Sequence, residues 1–320
     1  MKRLLRILAI VAALLIAAFL LLRTPDTDPA AMIAKYGGPP SQVIRLADGQ
    51  RIHLRDEGPR DAPVIMLLHG SNADLHTWQP WVEGLLRDYR VIRYDQIGHG
   101  LTGPARDGDY TTDAFARDVG EVADALGLER FVLAGNSMGG AVAVRYAMLD
   151  PQRLAGLVLV DAGGAPMRRE GGGNLGFAIA ATPGINRLAG EITPRWLVER
   201  SLSQSVSNQA VVTPEAVDRY WELARYPGNR DAMLARFGLR RTAFTPAQVR
   251  GISVPTLAMW GQEDALIPYD AAGWYMSHLP DATLASYPGI GHLPMEEAPE
   301  RTVADLRGWL AERAIFGPAR

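Results

Sequence analysis

The distribution of apolar and polar positions divides the chain into regions of different character. Residues 7–22, ILAIVAALLIAAFLLL, are apolar without a break and follow Lys2, Arg3 and Arg6. A basic start before an apolar run is shared by signal peptides and signal anchors, and a buried soluble helix would need a polar face that this run lacks. The run is long for a signal-peptide core and slightly short of the roughly 20 residues that span a bilayer. Leu4 and Leu5 extend it if Arg6 snorkels to the headgroups. No small-x-small cleavage site follows at a convincing distance, so residues 1–23 read as an uncleaved signal anchor, its basic end inside and the rest of the chain exported to a periplasmic or extracellular space. Secretion after signal cleavage is the alternative. Residues 24–40 have the proline, glycine and aspartate content of a linker.

From Ser41 the pattern alternates between strand and helix periods. QVIRLADGQRIHLRDEG carries Asp48-Gly49 between two alternating runs, a hairpin signal. PVIMLLHG is a short continuous apolar run ending in glycine, as expected of a strand buried on both faces. An amphipathic stretch at 76–87, the strand YRVIRYD, a helix at 112–126, the strand RFVLAGN, a helix at 138–149 and the strand LAGLVLVDA come next. The rhythm breaks from about 163 to 249, where PRWLVERSL and PEAVDRYWELAR look helical. It resumes with PTLAMWG, a helix at 269–279, ATLASYPG and a helix at 297–312. The expected fold class is α/β, a doubly wound and mostly parallel sheet. Its core spans 41–162 and 250–320, with a helical cap inserted at 163–249.

Composition narrows the chemistry. The 320 residues carry a net charge of −2, without the basic face that nucleic acid would require, and no nucleic-acid partner is expected. There are no cysteines, which removes disulfides, zinc-thiolate sites and thiol nucleophiles.

AGNSMGG, residues 134–140, lies where a buried strand turns directly into a helix. Gly135 and Gly139 let the backbone pass that turn without clashing side chains, which pushes the Ser137 hydroxyl out at the carboxyl end of the sheet. The adjacent helix N-terminus can stabilise negative charge, which suits acyl transfer. The competing account is a Gly-Ser turn that merely caps a helix.

A serine hydroxyl needs a base and a group that orients the base. GIGHLPMEEAPE supplies His292 in the loop after the last strand, and WGQEDALIP supplies Asp264 after the preceding one. Glu263 and Asp161 are rivals for the acid. The order Ser137, Asp264, His292 suits this fold, and all three fall at carboxyl ends of strands, where an open α/β sheet gathers its site. An oxyanion would need two backbone N–H donors. One is expected from Met138 and the other from Ser71, with Asn72 as the alternative. His69 reads as a packing and hydrogen-bonding residue, since neither H-E-x-x-H nor carboxylates at ligand spacing accompany it. No metal or organic cofactor is expected. Asp95, Gly98 and Gly100 in YDQIGHGLTGP read as shaping a loop beside the pocket.

LLHG, YDQIGHGLTGP, GNSMGGAVAVRYA, WGQEDALIP and GIGHLPMEEAPE together resemble the α/β-hydrolase superfamily over nearly all of the chain after residue 41. The resemblance implies Ser137 as nucleophile, His292 as base, Asp264 as its orienting acid, and Ser71 and Met138 as oxyanion donors. A serine at the elbow differs from the aspartate of the haloalkane dehalogenase and epoxide hydrolase branches. GNSMGGA looks like the elbow of meta-cleavage-product C–C hydrolases, whereas HTWQPWVEGL with an N-terminal anchor looks like exported esterases and lipases. Leu293 stands where C–C hydrolases often carry an aromatic residue.

The insertion offers Phe177, Ile179, Trp196, Leu197, Tyr220 and Trp221, some of which would lie over the serine while others pack the cap on the core. Residues 169–176, REGGGNLG, read as a hinge for cap motion. The expectation is an anchored serine esterase for small to medium apolar esters, cleaved through an acyl-enzyme, with the membrane as partner of the N-terminal helix. A cofactor-free C–C hydrolase is the alternative, followed by a non-catalytic binding protein of the same fold. A peptidase would need cap carboxylates, for which Glu191, Glu199, Glu215 and Glu222 are candidates, although they alternate with arginines like a solvated face.

Overall fold

A computed structural model describes residues 2–167, 182, 190–239 and 242–317. Eight strands form one sheet in the order β1-β2-β4-β3-β5-β6-β7-β8. They are β1 Ser41–Arg45, β2 Arg51–Glu57, β3 Val64–Leu68, β4 Arg90–Tyr94, β5 Phe131–Asn136, β6 Leu154–Val160, β7 Thr256–Gly261 and β8 Ala282–Tyr287. The β1-β2 and β2-β4 pairs are antiparallel and the others parallel. Every residue of β3, β5, β6 and β7 is buried, which is why these strands read as continuous apolar runs. The strand order reverses at β3, between β4 on one side and β5 on the other, and this is where an open α/β sheet leaves a crevice at its carboxyl edge.

Helices cover both faces. On one, Val119 of α4 (Thr112–Ala125) and Val142 of α5 (Met138–Leu149) share a core with Trp260 and Tyr275. On the other, Trp81 and Leu85 of α3 (Gln79–Leu85) share a core with Leu306 and Trp309 of the helix Pro299–Glu312. Prolines set several boundaries. The stretch expected as one helix at 76–87 begins as a 3-10 turn, Leu75–Trp78, and becomes α-helical with Pro80 in its first turn. The helix expected at 297–312 starts afresh at Pro299 after a short turn, Pro294–Glu297.

Among the described residues between β6 and β7 lie four α-helices, Arg195–Ser203, Pro214–Ala224, Asn229–Gly238 and Pro246–Arg250, and a 3-10 turn, Gln209–Val211. The first two match the helical signals in the sequence. Phe177, Ile179 and the segment 169–176 lie outside the described residues.

The N-terminal helix α1, Lys2–Leu22, is long and apolar enough to cross a membrane, and none of its window Leu5–Leu22 is buried. Residues 24–36 are more ordered than a linker. The Asp28 side chain accepts the Ala31 N–H at 2.8 Å and Pro29 opens α2, Pro29–Tyr36. Lys35 and the Tyr36 hydroxyl both donate to Glu222 of the helix Pro214–Ala224, at 2.7 and 2.6 Å. Arg230 extends the attachment to residues 24–26, donating to the Thr24 carbonyl at 2.8 Å and pairing with Asp26 at 2.5 Å.

Candidate active site

Ser137 sits between β5 and α5 with φ 55° and ψ −116°. This conformation costs a non-glycine residue about 1–3 kcal/mol, so the surroundings must enforce it. They leave no room for a relaxed turn. A Cβ on Gly135 would lie 2.2 Å from the Gly139 carbonyl oxygen, and one on Gly139 would lie 2.4 Å from that of Leu68. Gly140 is equally confined, 2.4 Å from the Ala162 Cβ, a constraint the sequence pattern does not single out. The Ser137 carbonyl is held by the Gly163 N–H at 2.8 Å and its own N–H by the Val160 carbonyl at 3.1 Å.

His292 and Asp264 come together from the loops after β8 and β7. The His292 Nδ1 lies 2.7 Å from the Asp264 Oδ2, and both residues are buried. The other Asp264 oxygen accepts the N–H groups of Leu266 and Ile267 at 2.7 and 3.0 Å, which fixes the carboxylate. An acceptor on Nδ1 makes that nitrogen the proton-bearing one and turns Nε2 into the base. Ser137 and His292 line one cavity of about 150 Å³.

The rival acids have other partners. Glu263 accepts the N–H groups of Gly289 and Ile290, at 2.7 and 3.1 Å, and so braces the turn before His292. Asp161, at the end of β6, is buried beside Asp264 and accepts the Gly261 N–H at 3.0 Å. Burial, and then the neighbouring Asp264 charge, pushes the Asp161 carboxyl well above the usual carboxylate range. Asp161, Asp264 and His292 are also the group that could hold a metal ion among the described residues, their ligand atoms lying within 4.8 Å of one another. An ion there would occupy the same Nδ1–Oδ2 contact that orients the imidazole.

Two residues that hold the histidine loop carry no signal in the sequence pattern. The Asn136 side-chain amide donates to the His292 carbonyl at 3.1 Å and to the Val160 carbonyl at 3.2 Å, tying the loop to the elbow. The Glu297 carboxylate accepts the N–H groups of Gly291 and Leu293, on either side of His292, at 3.1 and 3.2 Å. It also accepts those of Ser207 and Asn208, at 2.8 and 2.9 Å, joining the loop to the segment after the helix Arg195–Ser203.

Ser71 and Met138 are adjacent, the Ser71 Oγ lying 3.6 Å from the Met138 Sδ. Asn72 lines the cavity beside Ser71 with φ 60°. His69 is fully buried and both ring nitrogens are engaged, Nδ1 with the Gly70 carbonyl at 2.8 Å and Nε2 with the Gln96 N–H at 3.1 Å. Asp95 shapes its loop by accepting the Leu75 and Leu101 N–H groups, both at 2.8 Å. Gly98 and Gly100 both adopt positive φ there, 75° and 49°.

Of the aromatic and apolar residues picked out from the insertion, Leu197 and Tyr220 line the cavity. Trp196 is 59% exposed. Trp221 donates to the Thr193 carbonyl at 2.7 Å and lies under the Arg225 guanidinium. Three of the four candidate glutamates pair with cations elsewhere, Glu191 with Arg23, Glu199 with Arg195 and Glu222 with Lys35. None of the four is among the described residues lining the cavity.

With a strained serine, an oriented imidazole and a helix N-terminus at one cavity, the arrangement can carry acyl transfer. Residues 63–299 match the family model for the α/β hydrolase fold, and the chain belongs to that family. It is 32% identical over 245 residues, 75% of this chain and 89% of the other, to the protein of Variovorax paradoxus named "Putative carbamate hydrolase RutD". It is 29% identical over 257 residues, 76% of this chain and 85% of the other, to 2-hydroxy-6-oxononadienedioate/2-hydroxy-6-oxononatrienedioate hydrolase of Comamonas testosteroni. Among solved structures, that of a membrane phospholipase A, a bacterial virulence factor, superposes with a TM-score of 0.74 at 23% identity and 99% coverage of both chains.

Proposed function

We propose that the protein is a serine hydrolase that cleaves carboxylic esters of small to medium apolar substrates through an acyl-enzyme. The observation that carries this reading is the His292–Asp264 contact of 2.7 Å at the cavity that Ser137 also lines. His292 takes the Ser137 proton as the hydroxyl attacks the carbonyl. The oxyanion is received by the backbone N–H groups of Met138 and Ser71, and the alcohol leaves with the proton returned by His292. Water then repeats the two steps on the acyl-enzyme, and Asp264 steadies the imidazolium throughout.

Charge in the pocket supports an ester over a C–C substrate. The relative from Comamonas is named for a dienedioate, a substrate with two carboxylates. Among the described residues lining this cavity there is no lysine, arginine, aspartate or glutamate, and apolar side chains such as Leu197, Met233 and Leu234 predominate. Arg219, on the same helix as Tyr220, pairs with Asp74 and Glu296, at 3.2 and 3.4 Å. Among the described lining residues a carboxylate would meet no cationic side chain, whereas a neutral acyl chain meets matching surface.

We further propose that α1 remains attached as a membrane anchor and that the hydrolase body is exported. The basic start at Lys2, Arg3 and Arg6 supports that orientation, and the docking of residues 24–36 on the helices above the site supports retention of the segment. The Arg230 guanidinium bonds both the Thr24 carbonyl and that of Gly190, a residue lining the cavity. An anchored enzyme of this form keeps its pocket beside the bilayer.

The test is labelling with a fluorophosphonate probe, wild type beside Ser137→Ala, followed by p-nitrophenyl esters of rising chain length. Labelling that vanishes in the variant establishes the activated serine. Absence of labelling in folded wild type returns the chain to the binding-protein reading.

A further inference from the structure

Asn72 comes directly after the proposed oxyanion donor Ser71 in a left-handed conformation, φ 60°, which asparagine tolerates better than most residues but does not prefer. Something must hold it there. Its side-chain oxygen accepts the Arg236 Nη2–H at 2.8 Å. Arg236 belongs to the helix Asn229–Gly238, over 160 residues further along the chain, and is 4% exposed.

The same guanidinium is fixed on its other side. Arg236 Nη1 donates to the His99 Nε2, and the His99 Nδ1–H donates to the Ile97 carbonyl at 2.9 Å, which selects the tautomer with a free lone pair on Nε2. Burial, and then the Arg236 charge, hold His99 neutral. Its ring packs edge-on against His69, with centroids 5.0 Å apart. His69 in turn fastens the start of the oxyanion loop through the Gly70 carbonyl and the Gln96 N–H. Residues 69–72 are thus braced from beneath by the two imidazoles and from above by one arginine of the capping helices.

We propose that Arg236 is a positioning residue for the oxyanion loop, seating Asn72 so that the Ser71 N–H is aimed into the cavity only when the helix Asn229–Gly238 is docked. This inference rests on the serine-hydrolase reading of the site. The helix that carries Arg236 also contributes Met233 and Leu234 to the cavity wall, and Met233 lies one turn before Arg236, on the same side of the helix. An acyl group that fills the space against Met233 therefore presses on the element that aligns the oxyanion donor. Acyl-chain fit then enters kcat as well as KM.

The experiment uses the full chain in detergent, with p-nitrophenyl butyrate turnover and thermal midpoint measured for Arg236→Met, Asn72→Ala, Asn72→Asp and the Arg236→Met/Asn72→Ala double variant. Removing one oxyanion donor outright costs on the order of 100-fold or more in kcat. A misaimed donor is expected to cost about 10- to 100-fold, with KM within about threefold. Asn72→Asp, which keeps an oxygen acceptor for the guanidinium, is expected to recover most of kcat, and the double variant to be no slower than the slower single. Losses that multiply in the double variant, a kcat unchanged by Asn72→Ala, or a loss in KM alone would overturn the proposal. If Arg236→Met does not fold, Asn72→Ala against Asn72→Asp decides it alone, because neither disturbs the helix. A wild type that neither turns over esters nor accepts the phosphonate probe would overturn the hydrolase reading and this inference together. An active wild type indifferent to Asn72 substitution would overturn only this one.

Discussion

The carboxyl of Asp161 is buried against that of Asp264, their oxygens and the His292 ring nitrogen lying within 4.8 Å of one another. Asp264 contacts the imidazole, while Asp161 is pushed towards its protonated form and, among the described residues, its Oδ2 has no hydrogen-bonding partner apart from Asp264. A protonated Asp161 beside an ionised Asp264 is the arrangement that avoids two like charges in a dry site. Asp264→Asn is expected to lower kcat about 10³- to 10⁴-fold by favouring the wrong imidazole tautomer. Asp161→Asn preserves the acceptor for the Gly261 N–H and supplies an N–H where the proton was, and is expected to keep at least about a tenth of wild-type kcat. Ester turnover of the two variants separates the acid from its neighbour, and equal losses would refute the assignment.

The loop carrying His292 depends on Glu297, whose carboxylate gathers four backbone N–H groups from two segments. Hydrogen bonds to a charged acceptor contribute about 1.5–3 kcal/mol each, and losing the acceptor leaves buried donors unsatisfied. Glu297→Ala is expected to destabilise the protein by about 3 kcal/mol or more and to lower kcat together with the thermal midpoint. Glu297→Gln, which retains one carbonyl oxygen, should fall between the two. Urea unfolding read beside ester turnover checks the order, and an unchanged midpoint in Glu297→Ala would contradict it.

Local chemistry made much of the site legible. Ser137, Gly135 and Gly139 announce themselves because a strand must turn into a helix within one residue. His292 and Asp264 fall in short loops immediately after strands that the apolar pattern places. What stayed hidden depends on contacts distant in sequence. Glu297 reads as an ordinary acidic residue in the first turn of a helix, while Ser207 and Asn208, which it holds, lie about 90 residues away. Asn229–Gly238 shows no clean apolar stripe and buries an arginine, so periodicity gives no reason to place it over the loop of Ser71 and Asn72. Trp196 and Leu197 are equally plausible from composition, and only the rotation of the helix Arg195–Ser203 decides that Leu197 faces the cavity. The helix Pro29–Tyr36 is concealed by its proline and glycine surroundings, although Asp28-Pro29 is a start signal in its own right.

Asp118 on α4 offers a pH test outside the site. Burial, and then the nearby Glu121 charge, push its carboxyl up to about 7, and each of these two residues has a buried oxygen without a partner among the described residues. An acid whose folded pKa is raised binds its proton more tightly folded than unfolded. Stability is therefore highest below the usual carboxylate range near pH 4 and is lost as pH rises towards 7, after which this contribution is flat. Each tenfold change in proton affinity corresponds to about 1.4 kcal/mol, which bounds the loss at about 4 kcal/mol. Asp118→Asn is expected to flatten the fall in thermal midpoint between pH 5 and pH 8. Parallel curves for wild type and variant would exclude Asp118 as the source.

The attachment of residues 24–26 to Arg225 and Arg230, in the helical region between β6 and β7, makes a final prediction that separates docking of this segment from turnover. Arg230 donates to the Thr24 carbonyl at 2.8 Å, to the Gly190 carbonyl at 2.6 Å and to Asp26 at 2.5 Å, and its side chain is 11% exposed. Arg225 adds a bond to the Pro25 carbonyl at 3.0 Å. One guanidinium therefore links the foot of α1 to the cavity wall, and a second only supports it. Arg230→Met keeps the aliphatic stem and removes all three polar contacts. The segment after Leu22 is expected to become cleavable by trypsin at Arg23 several times faster than in wild type, because proteolysis tracks the population of the undocked backbone. Turnover of a short soluble ester, which does not require this segment to be docked, is expected to fall by less than about threefold. Mass spectrometry of the first tryptic fragments, timed against turnover, reads both. A cleavage rate at Arg23 equal to that of wild type would mean that the segment is held by its other contacts, and that Arg230 serves the cavity wall alone.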